Sequence, residues 1–182
     1  SLFSLRTVTS RALLSFVVTA PVPWNTLVVN AAGTRARVRA ALTREIVDAA
    51  RRHLATDGAA GLSLRAVARE LGMASSAVYR YFPSRDELLT TLIVEAYDAL
   101  GAAVEEAAEK AVRHGLRARL HAACGAVRSW ALAQPHEYAL VYGSPVPGYA
   151  APQATIGPAA RVGVVLSRIV AEGVAAGVVD PG

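Results

Sequence analysis

From Leu42 onward the apolar residues recur at helical steps. In "LTREIVDAARRHLATDG", Leu42, Ile46, Ala49, Ala50 and Leu54 share one side, which predicts an amphipathic helix that Gly58 ends in a left-handed conformation. The next stretch, "LSLRAVARELG", groups Leu64, Val67, Ala68 and Leu71, with Ser63 expected to cap the first turn through its side-chain oxygen and Gly72 to break the helix. "SSAVYRYF" predicts a third, short helix in which Val78 and Phe82 lie one turn apart and face inward. Two short helices across a glycine turn make a helix-turn-helix. Ser84 is then the expected cap of a long helix over residues 85–113, with Asp86 and Glu87 complementing its dipole.

The second half continues in the same style. Gly115 opens a helix through Leu116, Leu120, Cys124, Val127 and Trp130 that should stop before Pro135, because a residue preceding proline resists the helical region. "PHEYALVYG" predicts a shorter helix, "SPVPGYAAPQATIGP" a loop, and "AARVGVVLSRIVAEGVAAG" a last helix ending near Gly173 or Gly177. The expected fold is all-α: a three-helix domain over residues 34–87, then a helical domain over 88–182.

Composition supports this. Hydrophobic residues make up 53% of the 182 and aromatics only 6%, and the excess is chiefly alanine, a helix former. Residues 1–33 stand apart. Arg6 and Arg11 precede an apolar run, Ala12 to Ala20, that loosely imitates a secretory signal, but Pro21 and Pro23 interrupt it well short of the ~20 residues that cross a bilayer. The expectation for this segment is a disordered or non-native extension, with no membrane role and a cytoplasmic protein. The lone cysteine, Cys124, sits among apolar residues and is expected to be buried and inert.

Charge changes the picture more than composition does. The net charge of +5 is uneven: residues 35–85 hold ten arginines against Glu45, Asp48, Asp57 and Glu70, whereas residues 86–182 are net acidic. A basic segment seeks a polyanion, although taken alone it is more often just a solvated face. The helix-turn-helix gives it a purpose. Such a motif lays its second helix in the major groove while side chains near both helix starts meet phosphates. Ser75, Ser76 and Arg80 lie on the polar side of the third helix, within reach of base edges; Tyr79, Tyr81 and Arg85 sit where hydroxyl and guanidinium meet phosphates; Arg65 can serve either purpose. The plainer alternative makes the tyrosines packing residues and the serines caps.

No nucleophile with its base, metal-ligand spacing or phosphate loop is present, so neither an enzyme nor a cofactor or metal is expected. His53, His114, His121 and His136 are scattered.

Residues 43–92, with the block "LSLRAVARELG…VYRYFPSRDELL", resemble the DNA-binding domain of the TetR family of transcriptional regulators. The resemblance implies a homodimeric, ligand-responsive repressor that binds a palindromic operator in double-stranded DNA and is released when a small molecule binds the C-terminal domain. It matches Tyr79 to the family's phosphate-contacting tyrosine, Tyr81 to its frequent histidine or tyrosine, and Arg85 to its usual lysine. Ala74 stands where the family often has a capping serine, so the cap is expected to shift to Ser75. Ser63 is a further DNA-binding candidate, and "RVRAALTRE" resembles the family's N-terminal arm, in which Arg35, Arg37 and Arg39 follow the backbone or enter the minor groove, or equally are solvated tail residues.

"SWALAQPHEYALVYGSPVPGY" resembles the TetR subgroup whose C-terminal domain is named for a Trp-His-Gly motif, itself expected beyond Gly182. Trp130, His136, Tyr138, Tyr142 and also Tyr149 are candidates to line an effector pocket, or else to pack core and loop. The family's dimer interface uses its last two helices. Only the one around residues 159–176 is left for that role here, which leaves a C-terminal truncation open. The alternative function is a helical small-molecule-binding or scaffold protein without specific DNA binding.

Overall fold

The computed structural model describes residues 24–179, and side chains from Gly33 onward. Seven α-helices form, and no strand among the described residues: α1 (Trp24–Gly61), α2 (Leu64–Glu70), α3 (Ser75–Tyr79), α4 (Arg85–Lys110), α5 (Leu116–Ala133), α6 (Pro135–Tyr142) and α7 (Ile156–Ala175). The all-α expectation holds. Ala40–Gly182 is one compact unit and Ser1–Arg39 another.

Helix α1 begins at Trp24, so the last ten residues of the segment set apart in the sequence are helical; the first 23 lie outside the described residues. It kinks at Gly58, whose φ of 69° is the positive value glycine was expected to take there. Helix α4 is capped as predicted, with the Ser84 hydroxyl accepting from the Glu87 N–H at 3.1 Å and Asp86 and Glu87 in its first turn. Helix α7 ends at Ala175, and Gly177, at φ 68°, closes a turn in which the Val178 N–H reaches the Gly173 carbonyl at 2.9 Å.

Two hydrophobic clusters fill this unit, and α4 runs through both. Its first half buries Leu88, Leu89, Leu92 and Ile93 with Ile46, Val67, Val78 and Phe82 of the helix-turn-helix region. Its second half buries Leu100, Val104 and Ala108 with Ala123, Val165 and Ile169 of α5 and α7. The first cluster also packs against Leu140, Val141, Val146 and Tyr149 from α6 and the loop behind it. Helix α6 thus packs directly on the core that carries the helix-turn-helix.

Cys124 is exposed, contrary to expectation. The buried line of α5 runs through Arg119 and Ala123, and Cys124, about 100° further round, falls off its edge.

Candidate nucleic-acid interface

Buried side chains hold the helix-turn-helix: Leu64, Val67 and Ala68 anchor α2, and Val78, with Phe82 just beyond the helix, anchors α3, all at most 6% exposed. Between the helices Gly72 adopts φ 64°, while the Met73 N–H bonds to the Ala68 carbonyl at 2.8 Å, ending α2 with a left-handed turn. Arg52 of α1 adds an ion pair to Glu70 of α2 at 2.6 Å.

This packing decides which groups face out. Because Val78 and Phe82 are committed to the core, the residues between and before them project the other way: Ser76, Tyr79 and Arg80 are exposed, and Ser75 and Tyr81 are half-buried. Tyr81 also packs against the first cluster, the packing role weighed in the sequence. Arg65, the second residue of α2, is exposed, as is Arg39 further up α1.

Two capping expectations are corrected. Ser63 occupies the N-cap position of α2, but its side chain makes no cap hydrogen bond; its backbone carbonyl instead accepts from the Val67 N–H at 3.0 Å. At α3 the N-cap is Ala74, with extended φ/ψ and no side-chain acceptor, so Ser75 is the first helical residue and does not cap. The Ser75 hydroxyl is thereby not consumed by its own helix.

Arg85 is placed differently from its neighbours. Its Nε donates to the Leu62 carbonyl at 3.1 Å, and one terminal nitrogen donates to the carbonyls of Ala59 at 2.8 Å and Ala60 at 3.4 Å. The other terminal nitrogen meets Asp86 at 3.5 Å. The guanidinium thus straps the start of α4 to the end of α1, a cation on backbone carbonyls at a helix C-terminus. The sequence held no signal for this, because the partners lie 23 to 26 residues away.

The four candidate ligand residues do not converge. His136 lines a cavity of about 390 Å³ between the end of α1 and α6. Trp130 lines a separate one with Arg51, Glu95 and Glu137. Tyr138 and Tyr142 meet at a tilt of 42° with ring centres 5.1 Å apart, and Tyr142 meets Tyr97 edge-on at 6.0 Å. Burial and the neighbouring Tyr97 and Tyr138 raise the Tyr142 phenol above its ordinary value. Tyr149 bonds Thr90 at 2.9 Å. Among the described residues no cluster of histidine, cysteine or carboxylate side chains suits a metal ion.

A helix-turn-helix unit sharing one long helix with an appended helical region defines the class of this chain. Residues 46–92 match the family model described as bacterial regulatory proteins, tetR family, and residues 120–182 match that of the tetracyclin repressor-like C-terminal domain. The chain belongs to the tetR family of bacterial regulatory proteins. It is 49% identical over 146 residues to the HTH-type transcriptional regulator Rv1816 of Mycobacterium tuberculosis, a match that covers 80% of this chain and 62% of that protein. The chain thus spans less than two thirds of the length of this curated relative. A solved structure of a protein of unknown function from a Rhodococcus species shares 38% identity with a TM-score of 0.68, covering 78% of this chain and 72% of that one. The TetR family transcriptional regulator PfmR of Thermus thermophilus, at 23% identity and TM-score 0.60, shares the fold; the match covers 75% of this chain and 74% of that one.

Proposed function

We propose that this chain acts in a DNA-binding transcriptional regulator, a cytoplasmic, homodimeric and ligand-responsive repressor on a palindromic operator. The observation that carries the reading is the outward face of α3: Ser76, Tyr79 and Arg80 are exposed beside Arg65 on a helix whose opposite side, Val78 and Phe82, is locked in the core. Ser75, Ser76 and Arg80 are the base-reading candidates, and Arg39, Arg65, Tyr79, Tyr81 and part of Arg85 the phosphate-contacting ones.

A dimer suits α7. Ile156, Val164 and Val170 are exposed along one stripe with Ala160, Gly163, Ser167 and Ala171, and nothing lies within 4 Å of where a Gly163 side chain would begin. A second copy of the helix packs well on such a small-residue surface. By length and composition alone the segment Gln153–Ala175 is apolar enough to cross a membrane. Its opposite face, however, supplies Val165 and Ile169 to the core and Arg161 to two α4 carboxylates, as in a water-soluble bundle.

Selection of binding sites from a random double-stranded DNA pool tests the reading. An enriched inverted repeat, bound more weakly as salt rises, is expected. Enrichment of no sequence would favour a helical ligand-binding or scaffold protein that does not read DNA.

A further inference from the structure

The cavity of about 390 Å³ that His136 lines has an unusual pair of walls. One is the end of α1, with Leu54, Gly58, Ala59 and Ala60; the other is α6 and the loop after it, running to Pro147. Its size falls in the range of small-molecule sites. His136 and Ser144 are the only polar side chains in the lining, and no carboxylate, ammonium or guanidinium contributes to it. The pocket is open on one side and most of its lining residues are exposed, so a charged group on a guest gains no counter-charge from the lining, whereas an apolar body gains from covering it.

The α1 wall is also the wall that Arg85 holds. Ala59 and Ala60 face the cavity, and their carbonyls, with that of Leu62, take the Arg85 guanidinium. Arg85 opens α4 three residues after Phe82, which seats α3 in the core. The turn carries little side-chain bulk where it meets the cavity: Gly58 has no side chain and takes φ 69°, and Ala59 and Ala60 fill little space. A guest that pushes this turn therefore pulls on the strap behind the DNA-facing helix.

We propose that this cavity is the effector site, that it takes a small uncharged apolar molecule with at most a single hydrogen-bonding group for His136 or Ser144, and that occupancy reaches α3 through the Ala59, Ala60 and Leu62 carbonyls and Arg85. The inference rests on the ligand-responsive reading above and assigns it a place, a ligand class and a route. Linkage requires the effect to be mutual: a guest that weakens DNA binding is itself bound more weakly in the presence of DNA.

Two dyes with one skeleton provide the test: neutral N-phenyl-1-naphthylamine and its sulfonated analogue 8-anilinonaphthalene-1-sulfonate, each titrated by fluorescence. The neutral dye should bind the chain saturably and at least tenfold more tightly than the sulfonate. Ala139→Trp, which fills the cavity from an exposed position on α6, should weaken the neutral dye at least tenfold. Ala151→Trp, in the neighbouring cavity beside Tyr149, should leave its affinity within twofold. Circular dichroism melts check that each variant folds, and Ala60→Trp fills the cavity from the other wall should Ala139→Trp not fold. Saturating neutral dye should then weaken binding to the selected DNA at least fivefold for the unchanged chain and not for the filled variant.

No saturable binding of the neutral dye, equal or tighter binding of the sulfonate, or loss of binding in Ala151→Trp but not in the filled variant overturns the site. DNA affinity indifferent to saturating dye overturns the route. A chain that selects no DNA refutes the regulator reading instead, and the dye titrations still decide the cavity.

Discussion

Nε of Arg51 lies 2.9 Å from the Glu137 carboxylate, an ion pair that ties α1 to α6. The same guanidinium meets Asp48 at 2.7 Å and also pairs with Glu95 of α4, so one cation serves three carboxylates on three helices. Removing Glu137 loses an attraction but also relieves repulsion among the three acids; removing Arg51 loses attraction only. Arg51→Gln should therefore cost more than Glu137→Gln, about 1 kcal/mol against a few tenths, as befits a partly exposed network. Urea unfolding of both variants and of the double variant checks this. A larger cost for Glu137→Gln would mean that Arg51 does not hold the acids together.

Arg65 and Tyr79 should separate charge from hydrogen bonding at the nucleic-acid face. Arg65→Ala removes one cation, so DNA affinity should fall across sequences and the slope of log affinity against log salt should shrink by about one. Tyr79 is neutral. Tyr79→Phe should weaken binding roughly tenfold, the worth of a hydrogen bond to a charged group, with the slope unchanged. Neither change should move stability by more than about 0.5 kcal/mol, since both side chains are exposed. Fluorescence anisotropy titrations at several salt concentrations read both quantities, and a changed slope for Tyr79→Phe would argue against a simple phosphate contact.

How much of this was legible in the sequence depended on the range of the interaction. The start of α4 was readable because Ser84, Asp86 and Glu87 act within one turn, and the burial of Val67, Val78 and Phe82 was readable from spacing. Ser63 and Ser75 misled because residue type marks a capping position without fixing the rotamer or the register that makes the bond. Cys124 misled because a spacing pattern tolerates an error of one position, and one position on a helix is about 100°. Arg85 was matched to a phosphate contact, and in the fold two of its nitrogens also reach carbonyls at and just past the end of α1; these partners are backbone atoms that no side-chain pattern announces. The aromatic candidates of the second half split among a cavity, a second cavity and a tyrosine cluster because Trp130, His136 and Tyr142 occupy different faces of α5 and α6.

Gly101 is a second place where packing overrides propensity. A side chain begun there would lie 2.8 Å from Nε, 2.9 Å from Cβ and 3.0 Å from Cδ of Arg161 on α7. Gly→Ala inside a helix ordinarily gains up to about 1 kcal/mol, whereas overpacking costs about 1–3 kcal/mol. The Arg161 head is pinned by Asp98 at 2.7 Å and by Glu105 at 2.7 Å, so it cannot swing away without giving up these pairs. The steric term should win, and Gly101→Ala should lower stability by about 1 kcal/mol net. A thermal melt that rises instead would show that α4 and α7 can separate at no cost.

The same arginine sets a pH dependence. Hydrogen bonding from Arg161, followed by its charge, holds the Glu105 carboxyl below its ordinary value, and Glu105 with Asp98 pushes Arg161 further up, so that the guanidinium stays charged throughout. A carboxyl depressed in the folded state stabilises fully at pH values above its unfolded pKa of about 4.3 and loses that contribution as pH falls through the folded value. Glu105→Gln should therefore be less stable than the unchanged chain at neutral pH, and the gap should close between about pH 5 and pH 3. Glu105 is 42% exposed, so water screens the pair and the gap should be small. Urea midpoints at three pH values measure it. A gap that persists undiminished at the acid end would mean that Glu105 stabilises the α4 and α7 pairing by its shape and not by its charge.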